Sequence, residues 1–321
     1  MWKKLGVQRK AKKKIKLALI VLGLVIAVII LGQIANFAKI LVSPWGLLTP
    51  VKKYNWNPKF NLNLVVHTNS TSVLSYNPQE GKIIIINIPD QTFMEVPGGF
   101  GKWQLGAVYG LGKNELLKKT MMNYLGLPID GFLDFTPPFK NIKEILGILR
   151  GNPISSLQLL PNLKSDLTFW QLIRLKFGLA SVRFDKIIEL NLDQLDVLEK
   201  SALLDGSIIF NTDLVKLDTY LTVLKDSVIA KENKSIAIFN ATTQPQLANK
   251  WARLVTNLGA NVIITANAGK TLQKTEVSGQ KSATLERFKQ IFDINDKISQ
   301  SNEGETSRAE INLLVGEDYA N

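Results

Sequence analysis

Ser72–Ile88 reads SVLSYNPQEGKIIIINI, and it decides the fold class. Its second half, Lys82–Ile88, is dominated by isoleucine. Such β-branched side chains are stiff at χ1 and pack well on a pleated surface. A run without polar alternation needs cover on both faces, so it is expected as a buried central strand. Ser72–Tyr76 is also β-rich, and Asn77-Pro78-Gln79-Glu80-Gly81 between the two is a turn by composition, so the stretch reads as a hairpin.

Working forward, Pro97-Gly98-Gly99-Phe100-Gly101-Lys102 reads as a glycine-rich loop and Glu115–Leu125 as a helix. Leu116, Leu117, Met121, Tyr124 and Leu125 share one face of that helix, and Gly126-Leu127-Pro128 stops it. Further helices are expected at Lys140–Leu149 and Leu167–Phe177, and a strand at Lys186–Leu192. A second unit opens near Lys234 with a strand at Ser235–Phe239, an amphipathic helix at Pro245–Leu258 and a strand at Asn261–Thr265. This β-α-β order favours a parallel pair with a right-handed crossover. A helix at Ser282–Ile291 and a strand at Glu310–Val315 follow, with polar Gln300–Ser307 between them as a loop or disordered insert.

Working backward, Leu62–His67 (LNLVVH) is a strand, and residues 39–61 read as a linker with Pro44, Pro50 and Pro58 and two tryptophans, Trp45 and Trp56. Each tryptophan suits either a lipid headgroup level or a place on the first domain. Leu17–Ala38 is an uncharged, mostly apolar run of 22 residues. At about 1.5 Å per residue it spans a hydrocarbon core of about 30 Å. Residues 1–16 carry eight basic side chains and no acidic one. The expectation is therefore a cytoplasmic tail (1–16), an uncleaved transmembrane helix (17–38) and translocation of everything after it. The formal net charge of +12 falls to +4 once that tail is set aside, because 31 basic and 27 acidic residues remain. The basic balance is thus explained by topology, and nucleic acid is not an expected partner. No cysteine is present, which excludes disulfides, thiol nucleophiles and thiolate metal sites. The single histidine, His67, excludes a multi-histidine zinc centre.

Two segments carry a resemblance. Ser72–Asp130 holds the hairpin, Ile88-Pro89, Thr92, Val96-Pro97-Gly98, Lys102, Tyr109-Gly110, a helix, and Leu125-Gly126 with Pro128-Ile129-Asp130. In this order they resemble the catalytic domain of the LytR-CpsA-Psr family of cell-envelope proteins. Ser235–Asn321, with Ile236–Thr242 opening it and Leu313–Tyr319 closing it, resembles the LytR C-terminal domain that often follows. The implied architecture is an α/β fold, an α+β mixed sheet flanked by helices over residues 62–233, plus a small βαβ-type domain over 234–321. The resemblance implies transfer of a glycopolymer from polyprenyl pyrophosphate to peptidoglycan, a phosphoryl transfer that needs arginines for the phosphates and a carboxylate for Mg2+.

The sequence departs from the family at those positions. Its first Arg and Asp align on Asn69 and Thr71, and the pair after Ile88-Pro89 is Asp90-Gln91. No arginine lies between Leu62 and Asp130. An acid at position 90 repels the phosphate that an arginine would hold. The reading is a degenerate member of the family, with no catalytic residue and no metal ligand assigned. Lys102, Arg174 and Arg183 are the candidate ligand-binding cations, Arg174 and Arg183 sharing a basic group with Arg150 and Lys176. The bland reading of that group is a solvated helix face. His67 reads as a surface or satisfied histidine, and Asp90, Glu95 and Asp130 as solvated carboxylates. Three roles stay open: a non-catalytic binder of polyprenyl-linked precursor, wall polymer or partner; an active Mg2+-dependent phosphotransferase; and a structural anchor that recruits a partner.

Overall fold

A computed structural model describes residues 22–28, 30–32, 56–135, 139, 141–152, 156, 159, 162–294 and 307–320. The chain forms two compact units, Met1–Pro50 and Val51–Asn321. In the first, residues 22–28 and 30–32 are helical with exposed side chains. The rest of the expected transmembrane run, the basic tail and most of the linker lie outside the described residues. Among the described residues, no helix is long and apolar enough to cross a membrane.

The second unit runs β1 (Leu62–His67), β2 (Thr71–Asn77), β3 (Lys82–Asn87), β4 (Phe93–Val96), β5 (Gly101–Gln104), α1 (Leu105–Leu125), β6 (Gly131–Phe135), α2 (Ile142–Arg150), β7 (Leu163–Ser165), α3 (Phe169–Ser181) and β8 (Ile187–Asn191). There follow β9 (Leu198–Ala202), β10 (Ile208–Thr212), α4 (Leu214–Leu221), α5 (Ser227–Glu232), β11 (Ser235–Asn240), α6 (Leu247–Asn257), β12 (Asn261–Asn267), β13 (Glu276–Gly279), α7 (Ala283–Ile291) and β14 (Ile311–Val315).

The first sheet has the order β7-β6-β1-β2-β3-β8. The Ser72–Ile88 hairpin forms as expected, with Ser72 opposite Asn87 and Asn77 opposite Lys82. β3 lies between β2 and β8, and its four isoleucines are each at most 2% exposed. β1 pairs in parallel with β6 and β3 with β8, while β2 runs against both β1 and β3. Consequently β1, β3, β6 and β8 all point the same way, and their carboxyl ends share one edge.

On one face of this sheet, Val65, Val73, Ile84 and Ile86 share a core with Leu105, Val108, Leu117, Met121 and Leu125 of α1. Burial of each such side chain contributes about 2 kcal/mol. α1 starts ten residues before the expected helix and breaks at Gly112 (φ −150°) and Lys113 (φ 55°). A Cβ at position 112 would sit 2.6 Å from Leu116 Cβ, so only glycine fits the break. The glycine-rich loop at 97–102 is the turn of the β4–β5 hairpin, where Gly98, Gly99 and Gly101 take φ of 83°, 81° and 74°. Left-handed backbone of this kind is open to glycine without steric penalty. Trp56 belongs to the folded body: it is buried, packs edge-on against Tyr76 and donates to Phe60 O at 3.0 Å.

The second sheet has the order β12-β11-β14-β13, with β11 parallel to both β12 and β14. The β11-α6-β12 unit is the expected β-α-β crossover. Trp251 and Phe288, from α6 and α7, pack on Ile236, Ile238 and Leu313.

Two arginines fasten this sheet to the first. Arg287 on α7 is 2% exposed, pairs with Asp130 at 2.9 Å and donates to Asn61 O at 3.3 Å. Asp130 also accepts from Asn63 N at 2.9 Å, at the start of β1. Arg253 on α6 grips Asp218 through Nε (2.8 Å) and Nη2 (2.7 Å). It also donates to Asn123 O (3.1 Å) and Tyr124 O (3.0 Å), and Asn257 donates to Leu125 O (3.2 Å). The last carbonyls of α1, which have no intrahelical partner, are thus capped by a positive group from the other sheet. Gly126 ends α1 with φ 58°.

Candidate functional site

The shared carboxyl edge of β1, β3, β6 and β8 is where ligands bind in open α/β sheets. Here it gathers polar groups from each strand. His67 ends β1 and lies opposite Asp134 of β6. Its ring stacks on Tyr109 of α1, with centroids 3.9 Å apart and planes 19° from parallel. Tyr109 Oη and Asn114 Nδ2 each donate to Asp134 Oδ2 at 2.9 Å. His67 Nδ1 lies 3.3 Å from Thr71 Oγ1, across the β1–β2 turn. The Lys113 ammonium sits 5.0 Å above the Tyr109 ring.

Burial holds the His67 imidazole below its usual value, against the raising effect of Asp134 and Asp90. Burial also pushes the Asp90 carboxyl up, and proximity to His67 partly offsets that. Tyr109 is raised by burial and by its hydrogen bond to Asp134. The residues break two local rules here. Lys113 has positive φ outside the glycine class, a strained state of the kind found at functional sites. Among the described residues, Asn114 Oδ1 is buried without a hydrogen-bond partner.

Thr71 links this cluster to a cleft of about 420 Å³ along the same edge. Its walls include Ser70, Thr71, Asn87, Asn141, Lys143 and Asn191. Asn87 Nδ2 donates to Glu189 Oε1 and Asn191 Oδ1 at 2.7 Å each, and Ser72 Oγ donates to Asn87 Oδ1 at 2.9 Å. Lys143 at the start of α2 pairs with Glu189 at 2.9 Å. Its charge is therefore already matched inside the cleft.

Of the positions aligned on the family pair, Thr71 and Asp90 belong to this edge, while Asn69 sits exposed in the β1–β2 turn and Gln91 is exposed. The three candidate cations are not brought here. Lys102 is exposed on β5. Arg174 lies on α3 and reaches Trp56 O at 3.4 Å. Arg183 is 79% exposed and pairs with Asp185 at 3.0 Å. None of them lines the cleft. Glu95 is exposed on β4, whereas Asp130 holds Arg287 and is no solvated carboxylate. Sequence reasoning passed over Asp134, Tyr109 and Asn114 as site residues; His67, read as a surface or satisfied histidine, is half-buried against Thr71 and Tyr109. The available signal was an aspartate in the otherwise apolar strand GFLDF.

The edge does not fit a divalent cation. Among the described residues, no three His, Asp or Glu side chains gather as a metal site. Asp134 Oδ2 already accepts two hydrogen bonds, and burial raises the Asp90 carboxyl. No step through Mg2+ is derived from these residues.

Comparison with known proteins adds two findings. Residues 233–319 match the LytR C-terminal family, described as "LytR cell envelope-related transcriptional attenuator". No curated protein matches the chain. Similar solved structures include a LytR-CPS2A-psr family protein. TagT of Bacillus subtilis is 14% identical with a TM-score of 0.41, covering 53% of this chain and 92% of that one. The Lin1025 protein of Listeria innocua is 11% identical with a TM-score of 0.41, covering 52% and 97%. YwtF (TagT) with bound octaprenyl pyrophosphate lipid is 14% identical with a TM-score of 0.40, covering 64% and 94%. Likeness at this level fixes neither a shared mechanism nor a shared ligand.

Proposed function

We propose that the chain is a membrane-anchored, extracytoplasmic protein of the cell envelope that binds a hydroxyl-rich wall glycopolymer, free or lipid-linked, without transferring it. The supporting observation is the chemistry of the carboxyl edge. Glu189, Asp193 and three asparagines line the cleft and Asp90 and Asp134 flank His67 beside it, while the nearby cations are Lys143, paired with Glu189, and Lys113, over the Tyr109 ring. A sugar supplies hydroxyl donors that such acceptors need. A pyrophosphate supplies acceptors and negative charge, which an edge with more carboxylates than lysines disfavours. The amide-lined cleft suits a sugar ring better than a phosphate. The LytR-type domain over residues 233–319 supports an envelope setting. The uncharged run Leu17–Ala38 behind eight basic residues supports an anchor with the body outside the cytoplasm.

Native mass spectrometry of the full chain in detergent tests this reading. Wall-glycopolymer fragments and a polyprenyl pyrophosphate are each offered with and without magnesium. The expected result is glycan retention without magnesium, weakened by Asp134→Ala, and a polyprenyl pyrophosphate that keeps both phosphates. Magnesium-dependent loss of phosphate from the lipid overturns it.

A further inference from the structure

α3 buries Gln171, Leu175 and Leu179. Its opposite face carries Trp170, Arg174, Phe177 and Ser181, spaced i, i+4, i+7 and i+11, all exposed. At 100° per residue these four fall in a stripe about 60° wide. A helix lying on a soluble body turns a polar face outward. This one presents Trp170 at 72% and Phe177 at 61% exposure, and Phe184, just past its end, at 83%. The Arg150 guanidinium stacks beneath the Phe184 ring at 4.1 Å, holding that aromatic outward over a positive group. Basic residues surround the aromatics: between Phe169 and Lys186 there are Arg174, Lys176, Arg183 and Lys186 against Asp185 alone.

We infer that the outer face of α3, with Phe184, is a membrane-contact surface that rests on anionic phospholipid headgroups. Amphipathic aromatics favour the headgroup level, where an apolar body and a polar rim are both satisfied. Lysines and arginines beside them are drawn to the negative surface potential of anionic lipid. A second copy of the chain is the poorer occupant, because two such faces would bring like charges together. The proposal shares only the bilayer with the anchoring proposed above: the anchor would tether the chain, and this face would set how the body lies.

The absence of cysteine allows single labelling sites. Phe177→Cys, Phe184→Cys and, as a control on an exposed loop, Gln280→Cys carry a nitroxide on the full chain. Each is reconstituted into phosphatidylcholine vesicles with or without phosphatidylglycerol. Power saturation with oxygen and a nickel chelate reports immersion, and flotation on the uncharged vesicles reports the anchor separately. The expected result is immersion at 177 and 184 but not 280, only with phosphatidylglycerol. Arg174→Glu with Arg183→Glu should reduce the immersed population at least about thirty-fold. Water-exposed labels at 177 and 184 on chains that float overturn the proposal and leave the anchor standing. Labels shielded equally in detergent without vesicles also overturn it, in favour of a protein partner. Immersion with phosphatidylglycerol but no flotation without it supports the face and removes the anchor.

Discussion

Replacing Arg287 by methionine should loosen the whole second unit. The guanidinium is 2% exposed and 2.9 Å from the Asp130 carboxylate. At an effective dielectric constant of about 20, that separation corresponds to about 6 kcal/mol of attraction. Desolvation of both groups offsets much of it, so the pair as a whole is worth little beside a well-packed apolar pair. Removing one partner differs, because the counter-charge goes and the desolvation of Asp130 stays. The expected cost of Arg287→Met is about 3–5 kcal/mol. Methionine is long and unbranched, so it keeps cover over Phe60, whose ring lies 5.6 Å from the guanidinium carbon. Urea unfolding of the full chain in detergent, followed by tryptophan fluorescence, measures the change. Arg287→Met with Asp130→Asn should recover at least ~2 kcal/mol, since the amide leaves no buried charge behind. A single variant costing under ~1 kcal/mol, or a double variant costing the sum of the singles, would refute the view that this pair holds the two sheets together.

Lys113→Gly should raise stability by about 1 kcal/mol by relieving the positive φ, read as a higher Tm. Gly126→Ala should cost about 2 kcal/mol in urea unfolding, because φ is 58° and the new Cβ meets Arg253 at 3.2 Å and Asn257 at 3.0 Å. Asp90 is favoured in its protonated form by folding, so that share of stability is present below the usual carboxylate range and lost as pH rises through its raised value. Asp90→Asn should therefore raise Tm at pH 7 and leave it unchanged near pH 3. His67 runs the other way: its neutral form is favoured, full stability holds above pH 6.5, and it declines as pH falls toward the depressed value. His67→Gln should flatten that decline in a Tm-against-pH series.

The first sheet was legible where one strand spoke for itself. Lys82–Ile88 has no polar alternation, and it became the strand covered on both faces. The β-α-β unit over Ser235–Asn267 was equally plain, because α6 keeps its apolar residues on one side. Other elements gave weaker signals. Gly101–Gln104 and Leu198–Ala202 are short, polar and held by their hairpin partners, so neither shows a period of its own. The site was half legible. Asp90 stood out because it occupies a position where an arginine was expected. Asp134 did not, since its partners Tyr109 and Asn114 come from α1, 25 and 20 residues away. The two arginine fastenings depend on pairings across 157 and 35 residues, which no local pattern encodes.

β1 joins two places described separately. Its start meets the Arg287–Asp130 pair through Asn63 and the preceding Asn61, and its last residue is His67 in the ligand edge. Five residue steps at about 3.3 Å put these ends about 17 Å apart along a strand hydrogen-bonded on both sides. Such a strand is stiff along its length and acts as a strut. A pull or push on the LytR-type sheet, delivered through α7, would be carried along β1 to the stacked His67 and Tyr109 rings with little lost to bending.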